Sequence, residues 1–165
     1  MNIPFYIAAA VAVLATVRAV THFHVVHALL YLIVSFMAVA VVLYLLGAPF
    51  VAALEVIVYA GAIMVLFVFV VMMLNQGARE VERERRWAPR GMWLGPGLLS
   101  GLLLAEVIYL LWTGAPSGDH AEVGPREVGL ALYGPYVLAV ELGSLLLLPG
   151  IIGAYHLGRR QWSER

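Results

Sequence analysis

Cysteine is absent from the 165 residues, and so is lysine, because all ten basic residues are arginine. Without thiols the chain can form no disulfide, thiolate metal site or cysteine nucleophile, and redox chemistry says nothing of its compartment. We attribute the missing lysine to genome composition and not to function. Charge of either sign is scarce, at 12% of residues, and the formal net charge is zero, which argues against nucleic acid as a partner. Recognisable catalytic signatures are missing too. Gly95-x-Gly97 has no third glycine and no strand before it, so it is no dinucleotide fingerprint. No P-loop, nucleophile-elbow or zinc-hydrolase pattern occurs. There is no internal repeat of the kind that builds inverted-topology transporters.

Apolar residues fill the space that these absences leave. The chain is 63% hydrophobic with a mean hydropathy of +0.93, more than a soluble domain of this length tolerates. The run from Pro49 to Asn75, PFVAALEVIVYAGAIMVLFVFVVMMLN, carries the most information. About 25 helical residues reach roughly 37 Å, enough to cross a hydrocarbon core of about 30 Å. Four further apolar segments flank it. We expect an all-α integral membrane bundle of five spanning helices at approximately 3–20, 28–46, 50–74, 93–112 and 133–157, forming one transmembrane domain. The first segment lacks a basic start and is long for a signal peptide, so an uncleaved helix is expected.

Arginine placement orients the bundle. With five spans, Arg18, the loop arginines 79, 83, 85, 86 and 90, and Arg159, Arg160 and Arg165 share one side, nine of the ten. The other side holds Arg126 alone, beside Asp119, Glu122 and Glu127. By the positive-inside rule the N-terminus lies outside and the C-terminus in the cytoplasm.

Few polar groups lie at membrane depth, where carboxylates are costly and usually face a bundle interior or a water-filled cavity. With the third helix starting at Pro49, Glu55 lies about 9 Å inside that end. Tyr59 follows one turn later on the same face. Ala60-Gly61-Ala62 comes next, with almost no side-chain bulk. The pair reads as a proton-relay position or a polar contact to a neighbouring subunit's relay, set against the plainer reading of a carboxylate reaching headgroup water and a phenol satisfied in packing. Glu106 is near the middle of the fourth helix with Leu102, Leu103, Tyr109 and Leu110 around it. It is expected to make a polar contact to another helix, or to sit protonated. Glu141, in the fifth helix, divides evenly between a site and a polar interhelical contact. Pro149-Gly150, further along, reads as packing with a kink, since proline interrupts the backbone ladder. His22, His24 and His27 have no cysteine or carboxylate nearby to complete a metal site, and read as interfacial loop histidines. Residues 79–90 read as a solvated loop of alternating charge.

Residues 26–75, VHALLYLIVSFMAVAVVLYLLGAPFVAALEVIVYAGAIMVLFVFVVMMLN, and 128–160, VGLALYGPYVLAVELGSLLLLPGIIGAYHLGRR, closely resemble the family of subunit J of the proton-pumping NADH:quinone oxidoreductase. The resemblance covers essentially the whole chain. It implies a multi-pass subunit of the bacterial plasma (inner) membrane with no redox centre of its own. NADH, FMN, iron–sulfur clusters and quinone would be handled by other subunits. The implied neighbours are membrane lipid and other membrane-arm subunits. Chief among these are the small carboxylate-bearing subunit K, the quinone-site subunit, lettered H, and the neighbouring one, lettered A. The resemblance also implies a π-bulge near Tyr59–Ala62 and a role beside the buried proton and water path from the quinone site to the antiporter-like pumps. Two other readings remain open on sequence alone: a purely structural subunit that closes the bundle, and an independent small-solute carrier.

Overall fold

The computed structural model describes residues 3–22, 24–73, 93–114 and 122–158. Every regular element among them is helical: α1 Ile3–Thr21, α2 Val25–Leu45, α3 Pro49–Met73, α4 Leu94–Thr113, α5 Pro125–Tyr133 and α6 Val137–Gly158. Five of these, all but α5, are long and apolar enough to cross a membrane. The chain is a multi-pass membrane protein. It divides into two compact units, residues 1–123 and 124–165. The charged loop 79–90, Arg159, Arg160 and Arg165 lie outside the described residues.

In the first unit α2 is the common partner, packing against α1, α3 and α4, while α4 also touches α1. The stripes that meet are regular. Ala8, Val11 and Ala15 on α1 face Val34, Ala38 and Val41 on α2, and Leu103 and Leu110 on α4 close the cluster. The helical spacing of three and four residues puts each set on one face. Ala8, Ala15 and Ala38 are wholly buried, and such small side chains let backbones approach where no hydrophobic force separates helix from lipid. One polar contact reinforces α1 against α2. The Thr16 and Ser35 hydroxyls are 2.6 Å apart and both lie within reach of the Ala12 carbonyl, at 2.8 and 3.1 Å, so one hydroxyl donates to the other and the second donates to the carbonyl. A bond of this kind is worth roughly 0.6 kcal/mol on average in a membrane protein.

The turn from α2 to α3 is tight. Gly47 has φ 84°, a left-handed conformation that glycine adopts without penalty, and the Ala48 N–H closes back onto the Leu43 carbonyl at 3.0 Å. Pro49 then starts α3 at a position that needs no backbone donor. The Gly47 carbonyl is not left bare, since it accepts from the Val123 N–H at 2.8 Å.

The second unit differs from the single fifth helix expected over 133–157. A short helix, α5, ends at Tyr133, a turn follows at 134–136, and the spanning helix starts at Val137. Pro135 is the physical reason: it offers no N–H and pushes the residue before it away from helical geometry, and Gly134 has φ −107° and ψ −108°. α6 runs from Val137 to Gly158 with Pro149 inside it.

Candidate functional site

α3 is a single run of 25 residues built in three registers. Pro49–Leu54 is α-helical, Glu55–Ile63 is π-helical, and Met64–Met73 returns to α. Nine residues of π-helix is long for a form that occurs mostly as single-turn bulges, often at functional sites. It ends where the Met64 N–H meets the Tyr59 carbonyl, five residues back.

The local sequence explains the position of this stretch. Ala60, Gly61 and Ala62 are small, and Gly61 sits against the widened turn. A Cβ built at Gly61 would lie 3.1 Å from the Val56 carbonyl oxygen, tighter than ordinary contact. The π register thus favours a residue without a side chain at that point. On either side α3 is anchored by buried residues, Ala52 before the stretch and Met64 after it. Within the stretch itself none is buried.

Glu55 opens the π segment and is half-buried; Tyr59 is 47% exposed. The Tyr59 ring lies against Phe36 of α2, with centroids 5.4 Å apart and planes at 52°. Ala60 and Gly61 are half-buried and Ala62 is exposed. The structure therefore gathers Glu55, Tyr59, Ala60, Gly61 and Ala62 into one distorted segment on the α2 side of the first unit, with part of its surface open. Glu106 and Glu141 are not part of that gathering. Glu106 is buried on α4, and neither carboxylate oxygen has a hydrogen-bond partner among the described residues, so of its two expected roles the polar contact to another helix is not seen there. Glu141 lies in the second unit, exposed on α6.

The register change has a chemical consequence. In an α-helix the residue four positions on lies slightly past a full turn. In the wider π turn, bonded i to i+5, it falls slightly short of one. Converting Glu55–Ile63 between the two forms would rotate Tyr59 relative to Phe36 and turn everything after Met64 relative to Pro49–Leu54. A polar pair on such a segment can be presented to, or withdrawn from, a neighbouring water chain without unfolding the helix.

The histidines differ from the loop reading. His27 is 5% exposed on the first turn of α2, stacked on His22 at 5.5 Å and 14°, with Trp93 edge-on at 5.7 Å. His22 Nδ1 accepts from the His24 N–H at 3.2 Å. Among the described residues no group of three His, Cys, Asp or Glu is arranged to hold a metal ion. One turn on, the Tyr31 hydroxyl abuts Gly95 of α4, where any side chain would collide with it. Neither this aromatic knot nor the Thr16–Ser35 contact is legible in the sequence, because each depends on how separate helices pack.

The profile of the NADH-ubiquinone/plastoquinone oxidoreductase chain 6 family matches residues 15–157. The chain belongs to this family. It is 56% identical over 163 residues to an NADH-quinone oxidoreductase subunit J of Pseudomonas aeruginosa, covering 97% of this chain and 98% of that one. The subunit J of Escherichia coli K12 is 52% identical over 162 residues, covering 98% of this chain and 88% of its own. The subunit J of Buchnera aphidicola of Schizaphis graminum is 38% identical over 162 residues, covering 98% of this chain and 99% of that one. The resemblance noted from residues 26–75 and 128–160 thus extends to full-length relatives.

Proposed function

We propose that this chain, a membrane subunit of an NADH:quinone oxidoreductase, gates a buried proton and water path through the register of α3. The observation that carries the proposal is the π-helical stretch Glu55–Ile63, which holds a carboxylate, a phenol and a glycine at membrane depth. Rare helical turns of this kind persist only where the surrounding structure over-determines them, and they cluster at functional sites. The path would run between the quinone site and the antiporter-like pumps, with Tyr59 and Glu55 at its edge. The chain supplies no redox centre in this reading, and NADH, FMN, iron–sulfur clusters and quinone belong to its neighbours. The proposed partners are the small carboxylate-bearing subunit K, the quinone-site subunit and the neighbouring membrane-arm subunit, and the open face of α3 is available to them. The N-terminus lies outside and the C-terminus in the cytoplasm of a bacterial inner membrane, following the arginine asymmetry.

The test is the hydrogen-bond register of residues 55–63 in the assembled complex, determined at rest and during turnover. Gating requires π in one state and α in the other. The same register in both states would leave α3 static and reduce the chain to a scaffold.

A further inference from the structure

Glu106 lies on α4, outside the segment that the α3 reading uses. The buried face of α4 runs Pro96, Leu103, Glu106, Leu110, with Leu99 and Val107 packed alongside. Glu106 is therefore a member of the stripe that meets α1 and α2, between two leucines of the apolar core. It is 8% exposed, and neither Oε1 nor Oε2 is reached by a hydrogen bond from a described residue.

The polar groups of the packed helices are directed elsewhere. The Thr16 and Ser35 hydroxyls bond to each other and to Ala12. Ser100 donates to the Pro96 and Gly97 carbonyls of its own helix, at 2.7 and 3.2 Å. The titratable side chains are Tyr6 and Arg18 on α1, His27, Tyr31 and Tyr44 on α2 with His24 at its cap, and Tyr109 on α4. None of them donates to the Glu106 oxygens. Arg18 is exposed, near the far end of α1, and the Tyr31 hydroxyl lies at Gly95, roughly 16 Å along the helix axis from Glu106.

An ionised carboxylate cannot be kept in such a place without a cation or several donors, and a group so buried neutralises instead. We propose that Glu106 is a proton-holding site sealed in the α1–α2–α4 core, separate from the α3 segment, and that its proton stays in place during turnover. The sealing follows from the same geometry: proton transfer needs a hydrogen-bonded donor or acceptor within reach, and the described core presents none.

Infrared difference spectra of the assembled complex in membranes, wild type minus Glu106→Gln, test this directly. The expected difference is a protonated carboxylic C=O band that persists into alkaline buffer, is unshifted by brief exposure to D₂O, and does not move on quinone reduction. A carboxylate band in its place overturns the proposal, as does a C=O band that exchanges at once or responds to turnover. Glu106→Leu supplies the second arm. An unbonded neutral acid is replaceable by an apolar side chain, so this variant should assemble and pump as wild type, and it serves for the infrared difference should the glutamine variant not assemble. Loss of assembly or pumping in Glu106→Leu would reveal a bond that Glu106 must make, and would also overturn the proposal. None of these outcomes depends on whether α3 changes register.

Discussion

The Tyr59 ring on the π-helical stretch of α3 lies 5.4 Å from the Phe36 ring of α2, tilted by 52°. This aromatic contact ties the distorted segment to the helix that all others in the first unit pack against. A change of register at 55–63 would therefore slide or break the contact, with Phe36 as the reference against which Tyr59 would move.

Tyr59→Phe keeps that ring contact and removes only the hydroxyl. An obligatory proton carrier would cost on the order of 100-fold or more in rate when removed. An ordering group for a water path costs less. We expect normal assembly and a partial loss of proton-coupled quinone reduction, under about tenfold on that scale. Wild-type pumping would leave the phenol as a packing group, and failed assembly would make it a structural anchor.

Gly61→Leu adds a side chain where a Cβ alone would sit 3.1 Å from the Val56 carbonyl. The π register is disfavoured and the α register is not, so the equilibrium shifts. NADH oxidation with an artificial acceptor should remain near normal, because that reaction bypasses the membrane arm. Quinone reduction and pumping should fall together. A variant that assembles and pumps like wild type would show that α3 is not a moving part.

Gly95→Val drives a branched side chain into the buried Tyr31 hydroxyl. Over-packing of this kind costs about 1–3 kcal/mol. The α2–α4 interface should loosen, seen as a lower yield of assembled complex and a lower thermal midpoint of the assembly. Tyr31→Phe in the same background removes the colliding oxygen and should restore part of the loss. No recovery would place the damage elsewhere.

Glu141→Gln asks whether ionisation of an exposed membrane carboxylate matters. The amide retains hydrogen-bonding capacity. Assembly and pumping at wild-type levels are expected if Glu141 contacts a neighbouring chain only through hydrogen bonds. Lost pumping with intact assembly would assign its charge to the proton path.

Orientation can be read with a membrane-impermeant thiol reagent, and the absence of native cysteine gives a clean background. Cysteines introduced at Ser117 and Gln76, both outside the described residues, should label from opposite faces, Ser117 from outside. Labelling of both from one side would refute the five-span topology.

The number and approximate bounds of the spanning helices were legible in residue order alone, because about 20 consecutive apolar residues have few alternatives to a membrane helix. Glu55, Tyr59 and Gly61 stood out for the same reason, as polar or minimal groups in a run that otherwise tolerates neither. The extent of the π stretch was not legible. A register depends on which carbonyl each N–H reaches, and the same residues satisfy both forms locally. Nor did the apolar periodicity separate Glu106 from Glu55. Both are carboxylates within spanning helices, and only the packing of α4 on α1 and α2 closes one in while the open side of α3 leaves the other half-exposed. The break at Pro135 could have been read from the chain, since proline restricts the residue before it, but the unbroken hydrophobicity on either side hid it. Composition and order thus determined the solvent, the helices and the candidate polar groups of this protein. Contacts between residues on different helices, Thr16 to Ser35, Phe36 to Tyr59 and Tyr31 to Gly95, decided the rest, because helix packing in a bilayer turns on local shape and not on hydrophobicity.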